Sequence, residues 1–421
     1  MKVVWVMGEL VFPPANGLFL YSTGLQTSLA ELPNVSVVTI ANVVGDPPPW
    51  KVRCLSVPPE RRLGWRLLLK YPVMTARLPV RAMRESLGAA LAPKDVDILV
   101  VDHVKNGWVL DYVGRRPDLR PPVVAYVSHN DEIAIFRASL NDTESSILER
   151  MARAVDFVKI RRLQHRLLRR SDVVTAICPG DATAFAAQGC RAEVVLAPPG
   201  FAPVDQKKHT WTPLGDTRRR VLLTGTFNWR LKLRNLVEFL EAAVEPFAQH
   251  GIELAVVGRI QPRELQDLRT RFPSCEIVGE VDSVEPWLAQ ARVGVIPEPR
   301  GGGFKMKALD LVAAGVPIVG MSRSLDGIPL VPNVDYLASD EIPSLVQQII
   351  DYIDDVEMLD QMRNRAFNAF RRKLDWSVTA RSVVAAWDRA RQVAYDGSRG
   401  LARDNGDAGD YRDSRNARKA T

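Results

Sequence analysis

The feature that most limits the folds open to this chain is a rhythm that runs twice. Short runs rich in Val, Ile and Ala recur at residues 3–7, 35–40, 97–101, 123–127, 173–177 and 194–197, with segments long enough for helices between them. The runs are continuous rather than alternating, as strands covered on both faces tend to be. They predict a parallel sheet with crossover helices. A stretch rich in Pro and polar residues, "APPGFAPVDQKKHTWTPLGDTRRR" at 197–220, then interrupts the pattern as an interdomain linker would. The rhythm restarts at 220–224, 253–257, 275–278, 293–296 and 317–320, and helical patterns cover 236–249, 306–314 and one long amphipathic stretch at 343–370.

The expected fold class is therefore α/β, with two Rossmann-like lobes and a cleft between them. A chain of 421 residues, 46% hydrophobic, suits two domains of ordinary size. The expected divisions are an N-terminal lobe over 1–200, a linker over 201–217 and a C-terminal lobe over 218–375. A crossover helix over 376–395 and a disordered tail over 396–421 follow, the tail being polar and rich in Gly and Asp.

Other classes are set aside by what the sequence lacks. Cys54, Cys178, Cys190 and Cys275 are scattered without metal-binding or disulfide-framework spacing, which fits a reducing compartment. The opening "MKVVWVMGELVF" reads as a first buried strand rather than a signal peptide, and no run reaches the length of a membrane span. The net charge of +7 is concentrated in two blocks, residues 61–84, which hold no acid, and residues 150–170. Neither block carries the aromatic platforms or finger spacings of a nucleic-acid module, so no nucleic acid is expected. The first block mixes Trp65, three leucines and Tyr71 with its cations, in the manner of an interfacial helix interrupted by Pro72 and Pro79. An anionic membrane surface is the expected partner of residues 61–84, the alternative being a basic helix packed by its leucines on the lobe.

The chemistry concentrates at 298–320, "EPRGGGFKMKALDLVAAGVPIVG". Gly301, Gly302 and Gly303 let backbone approach a ligand, and Phe304, Lys305 and Lys307 lead into a helix whose start favours anionic oxygens. Asp310 stands about one and a half turns beyond Lys305, within reach of ribose hydroxyls. The arrangement suits a nucleotide diphosphate; an ordinary glycine-rich loop before a solvated helix is the competing reading. It is neither a Walker loop nor a dinucleotide fingerprint.

The same stretch, with "SLDGIPLVPNVDYLASD" after it, resembles the donor-binding segment of retaining GT-B glycosyltransferases, family four in particular and a bacterial polysaccharide subgroup of it most of all. Further matches in order are "PPANG", "SHNDEIAIFR", "SDVVTAICPGD", "VLLTGTFNWR", "LAVVGR" and "GEVDSVEPWLAQARVGVIP", so the resemblance spans residues 1 to about 395. It implies a C-terminal lobe that binds nucleotide sugar and an N-terminal lobe that takes the acceptor. The family's paired glutamates fall on Gly302, which has no carboxylate, and on Asp310, which keeps one. Its diphosphate-clamping basic pair falls on Lys305 and on Arg230 or Lys232. Asp326 and Gly327 match its Glu-Gly beside the donor, Asn16 and Gly17 its first loop, and His129 the histidine near the transferred sugar.

What the resemblance implies is transfer of a hexosyl or related sugar, with retention, from a nucleotide-diphosphate donor to a glycan or lipid-linked acceptor in cell-surface polysaccharide or glycolipid biosynthesis. No cofactor and no metal are expected, and the metal reading invited by Asp102 and His103 is set aside. The expected location is the cytoplasm or the inner face of the plasma membrane. A non-catalytic GT-B binder of nucleotide sugar or glycan, or an acceptor-independent enzyme such as a sugar-nucleotide epimerase, are the alternatives.

Overall fold

The computed structural model describes residues 1–14, 16–46, 51–60, 64–140, 146–201, 211–298 and 303–413, without the side chains of residue 139 and of 397–413. The first lobe runs β1 (Lys2–Val11), α1 (Gly17–Glu31), β2 (Ser36–Val44), β3 (Arg53–Ser56), α2 (Trp65–Leu68), α3 (Val73–Ala76), α4 (Val80–Leu91) and β4 (Ile98–Asp102). It continues through α5 (Trp108–Gly114), β5 (Val123–Val127), α6 (Glu132–Leu140), α7 (Ile147–Arg170), β6 (Val173–Ala176), α8 (Pro179–Ala187) and β7 (Glu193–Leu196). Its seven strands pair in parallel in the order β3-β2-β1-β4-β5-β6-β7. β4 and β5 are buried at every position, which is why their sequences are unbroken apolar runs.

The second lobe comprises β8 (Arg220–Thr226), α9 (Arg230–Gln249), β9 (Glu253–Arg259), α10 (Pro262–Arg271), β10 (Glu276–Gly279), α11 (Glu285–Gln290) and β11 (Val293–Ile296). It ends with α12 (Lys307–Ala313), β12 (Ile318–Met321), β13 (Leu337–Ser339), α13 (Ile342–Tyr352) and α14 (Val356–Lys373). Its six strands are again parallel, in the order β10-β9-β8-β11-β12-β13. The expected two-lobed α/β architecture is the observed one. β3 and β13 are additions: both are short edge strands whose few residues make no apolar run.

The long pattern at 343–370 divides into α13 and α14, because the Asp355 carboxylate accepts the Met358 amide and starts a new helix. α9 begins at Arg230, six residues earlier than its apolar periodicity, which places Arg230 and Lys232 on a helix rather than in a loop. The basic segment from 64 to 84 is three helices, with Pro72 and Pro79 as the residues that precede α3 and α4. Tyr71, Ala76, Leu78, Val80 and Met83 are buried in the lobe while Trp65 and Leu69 are exposed; residues 61–63 lie outside the described residues.

The chain then returns to the first lobe. α15 (Trp376–Asp413) packs on α1, β5, β6 and β7, with Trp387 fully buried beside Ala380 and Val383. Its first residue is wedged so tightly that a Cβ on Gly24 or on Gly200 would overlap the Trp376 ring. α15 runs past residue 396, as far as Asp413. Residues 414–421 lie outside the described residues, as do 202–210 of the expected linker. The chain on either side of that linker is packed: Phe201 meets Phe367 and Phe370 edge to face, and Trp211 donates its indole hydrogen to the Ala313 carbonyl at 3.0 Å.

Candidate functional site

Parallel strands bring their carboxyl ends to one edge, and the loops that follow hold the polar residues. In the first lobe β4 ends at Asp102, and His129 stands two residues past β5. His129 Nε2 lies 2.5 Å from Asp102 Oδ1, while Trp5 on β1 donates its indole hydrogen to Asp102 Oδ2 at 2.7 Å. Ser22 of α1 lies 3.4 Å from the same imidazole nitrogen, and the Tyr21 ring meets that of His129 edge-on at 5.3 Å. Burial alone would push the Asp102 carboxyl up; His129 and the hydrogen bonds from Trp5 and Ser22 outweigh it and hold the carboxyl below its usual range. A buried carboxylate thus fixes the orientation of His129.

A second pair stands beside the first. His103, with its backbone at φ +66°, accepts the Lys105 amide through Nδ1 at 3.2 Å, so its proton sits on Nε2, 3.1 Å from Glu132 Oε1. Burial pulls the His103 imidazole below its ordinary value, against the pull of Glu132. The two imidazole rings are 5.5 Å apart.

In the second lobe the corresponding edge carries cations. Glu298 follows β11 by two residues, and its carboxylate pairs with the Lys307 ammonium; both side chains are largely buried. Burial would raise the Glu298 carboxyl, but Lys307, Lys305 and Lys232 together hold it low. Burial pulls the Lys305 ammonium below the ordinary lysine value, an effect that Glu298 opposes while Lys307 and Lys232 reinforce it. Lys232 keeps contact with solvent, yet the protein crowded around it, and then Lys307, pull its ammonium down as well. Three ammonium groups therefore converge on one carboxylate, whose Oε2 is buried without a hydrogen-bond partner among the described residues. Cations gathered at one strand edge beside a single buried carboxylate favour a polyanion.

The two edges meet. Gly303 adopts φ +79°, a left-handed conformation that suits glycine, and a Cβ there would overlap the Asn130 carboxamide next to His129. A Cβ on Gly17 would stand 2.8 Å from Met306 Cγ, and one on Gly327 would stand 2.5 Å from Cys178 Cβ. Phe136 of α6 faces Trp229 at 6.3 Å between ring centroids. His129, Gly17, Gly303, Phe304, Lys305, Lys307 and Gly327 thus lie on or beside a single junction between the lobes.

Other expected residues take different places. Asn16 caps α1, its carboxamide oxygen accepting the amides of Leu18 and Phe19 at 3.0 and 3.2 Å. Lys307, expected to touch the diphosphate, is tied to Glu298. Arg230 and Asp326 are exposed, and Gly301 and Gly302 lie outside the described residues. Asp310, on the first turn of α12, is open to solvent, and the protein mass around it pushes its carboxyl up to about 6. Among the described residues no group of three or more His, Cys, Asp and Glu side chains gathers to hold a metal ion. Asp102, read from sequence only as a metal candidate, has its oxygens engaged by Trp5 and His129. Sequence reasoning missed that pairing and missed Glu298. The signal for the first was two adjacent buried strands ending in Asp and near His; the signal for the second was a lone acid before the glycines.

Residues 218–355 match the family model "Glycosyl transferases group 1". No curated protein matches the chain. Among solved structures, sucrose-phosphate synthase from Thermosynechococcus elongatus is similar at 15% identity over 92% of this chain and 98% of its own, with a TM-score of 0.66. Anabaena HepE in complex with UDP and glucose gives 13% identity, 92% and 99% coverage and a TM-score of 0.65. WaaG, a glycosyltransferase involved in lipopolysaccharide biosynthesis, gives 13% identity, 93% and 99% coverage and a TM-score of 0.62. At these identities the likeness shows the fold, two facing Rossmann-like lobes of the GT-B kind.

Proposed function

We propose that this chain is a glycosyltransferase that moves a hexosyl or related sugar from a nucleotide-diphosphate donor to an acceptor hydroxyl, with retention of anomeric configuration. The observation that carries the reading is the cluster of Lys232, Lys305 and Lys307 around Glu298, set against the Asp102–His129 pair at the junction of the lobes. The family match over 218–355 and the similarity to HepE, solved with UDP and glucose, support the same donor chemistry.

In the proposed reaction the bond between the anomeric carbon and the diphosphate oxygen breaks while the acceptor oxygen bonds to the same face of that carbon. The departing phosphate takes the acceptor proton. Lys305 and Lys232 stabilise the charge that builds on the leaving group, where preorganised cations act most strongly. Lys307 holds Glu298 in place and so keeps the cluster from collapsing on itself. His129, oriented by Asp102, lines the sugar side, Gly17 and Gly303 allow the close approach, and Asp310 meets the ribose. The lysines supply the charge that a divalent ion would otherwise bring, so turnover is expected to survive chelation. The acceptor is a glycan or a lipid-linked sugar in cell-surface polysaccharide or glycolipid synthesis, and the enzyme works at the cytoplasmic face of a membrane whose anionic lipids meet the exposed part of residues 61–84.

The test incubates the purified chain with a panel of nucleotide sugars. Transfer releases nucleoside diphosphate only when acceptor is added; release or interconversion without acceptor identifies a hydrolase or epimerase, and binding without release identifies a non-catalytic protein.

A further inference from the structure

α7 carries two apolar stripes. Ile160, Leu163 and Leu167 are buried against the first lobe, as crossover helices require. Ile147, Leu148, Met151, Val155 and Val158 form a second stripe, on the opposite side of the helix by its turn of about 3.6 residues. These are not grazing exposures: Leu148 is 78% and Met151 62% accessible. Trp65 and Leu69 of the neighbouring segment are 65% and 78% accessible. That segment is fastened to α7, since Lys159 donates to the Leu68 carbonyl at 2.5 Å and Asp156 accepts the Val73 amide at 2.8 Å. The two exposed apolar sets therefore belong to one surface.

Among the described residues, and apart from the capping Glu149 and the anchoring Asp156, the charges on that surface are positive. Arg162 and Arg169 continue the line of the exposed stripe, Arg161 and Arg150 flank it, and Arg66 lies over the Trp65 ring at 5.3 Å; all five are exposed. Long cationic side chains beside projecting aliphatic ones on an exposed helix face fit a plane that is apolar within and anionic at its face. A bilayer meets both demands without shape complementarity.

The topology gives this surface an orientation. α7 delivers the chain to β6 and so runs against the strands, and Leu163 lies where a Cβ on Gly107, just past β4, would meet it at 2.6 Å. Residues 147–158 consequently stand beyond the carboxyl edge of the sheet, on the side of His129 and Lys105. We propose that the outward face of α7, with Trp65 and Leu69, docks on an anionic phospholipid bilayer and turns the acceptor side of the junction to the lipid, so that the acceptor is lipid-linked rather than a free glycan. The acceptor half of this rests on the glycosyl-transfer reading of the junction; the docking half does not.

The test uses the full chain in flotation with vesicles of phosphatidylcholine alone or mixed with phosphatidylglycerol, in low and high salt. The wild type is expected to float with the mixed vesicles only, and less in high salt. Leu148→Glu/Met151→Glu and, separately, Arg162→Glu/Arg169→Glu are each expected to weaken vesicle binding at least about tenfold. The stabilisation of the fold by UDP, read by thermal shift on the same samples, is expected to be unchanged. Failure of the wild type to float, or flotation of the variants equal to wild type, overturns the docking. So does a wild-type dimer in gel filtration that the stripe variants split, since the face then belongs to a second copy. If no nucleoside diphosphate of a panel gives a shift while flotation behaves as described, the transfer reading fails and the docking stands.

Discussion

Asp102 shows how one carboxylate can decide what a neighbouring ring does. It accepts from Trp5 with one oxygen and from His129 with the other, and an asparagine can offer an acceptor to only one of those donors. Asp102→Asn is therefore expected to lower kcat about 100-fold while the donor KM moves little, because the imidazole loses its orientation and the lysine cluster is untouched. Steady-state kinetics with the donor varied separates this from simple misfolding, which would lower active enzyme without the pattern. Asp310 gives a pH signature. Its carboxyl titrates near about 6, so below that pH it is protonated and no longer a good acceptor for ribose hydroxyls; donor KM is expected to rise as pH falls through about 6. The folding consequence has the opposite sense. A folded-state value above the ordinary Asp value means the native state holds the proton more tightly, so this group's contribution to stability falls as pH rises between roughly 4 and 6. Asp310→Asn should then unfold at a slightly higher temperature than wild type at neutral pH while binding donor less well.

Helices and strands explain which of these features could be read in advance. The central strands were legible because burial on both faces leaves continuous apolar runs, as in Ile98–Asp102 and Val123–Val127. β3 and β13 were not, since an edge strand of three or four residues makes no such run. α7 hid its character for a related reason: stripes on opposite faces cancel, so it read as merely basic. Gly17, Gly303 and the lysines were visible as chemistry, but their shared carboxylate was not, because only folding brings Lys232 of α9 to Glu298, in the loop after β11. At this scale the docking of α15 is the most direct prediction. Trp387 is wholly enclosed on the first lobe, and Trp387→Ala is expected to destabilise the protein by about 3–5 kcal/mol, measured by denaturant unfolding.

The whole molecule is two sheets pressed edge to edge with one chain return holding them. Phe201 meets Phe367 and Phe370 edge to face across that return, the Phe201 amide donates to the Leu374 carbonyl at 3.0 Å, and α15 then closes on the first lobe. The site exists only because this return sets Gly303 against Asn130 and Gly17 against Met306. The first lobe brings the oriented histidine and the second the lysine cluster. Calorimetric titration, into the wild type and into Lys305→Ala, of the nucleoside diphosphate whose sugar the donor panel selects tests the account most directly. Saturable binding to the wild type, weakened about 100-fold or more in the variant with unfolding temperature preserved, is the result expected from charge-assisted contacts to a diphosphate. Equal affinity in the two proteins would contradict it, because the cation cluster would then have no part in holding the leaving group.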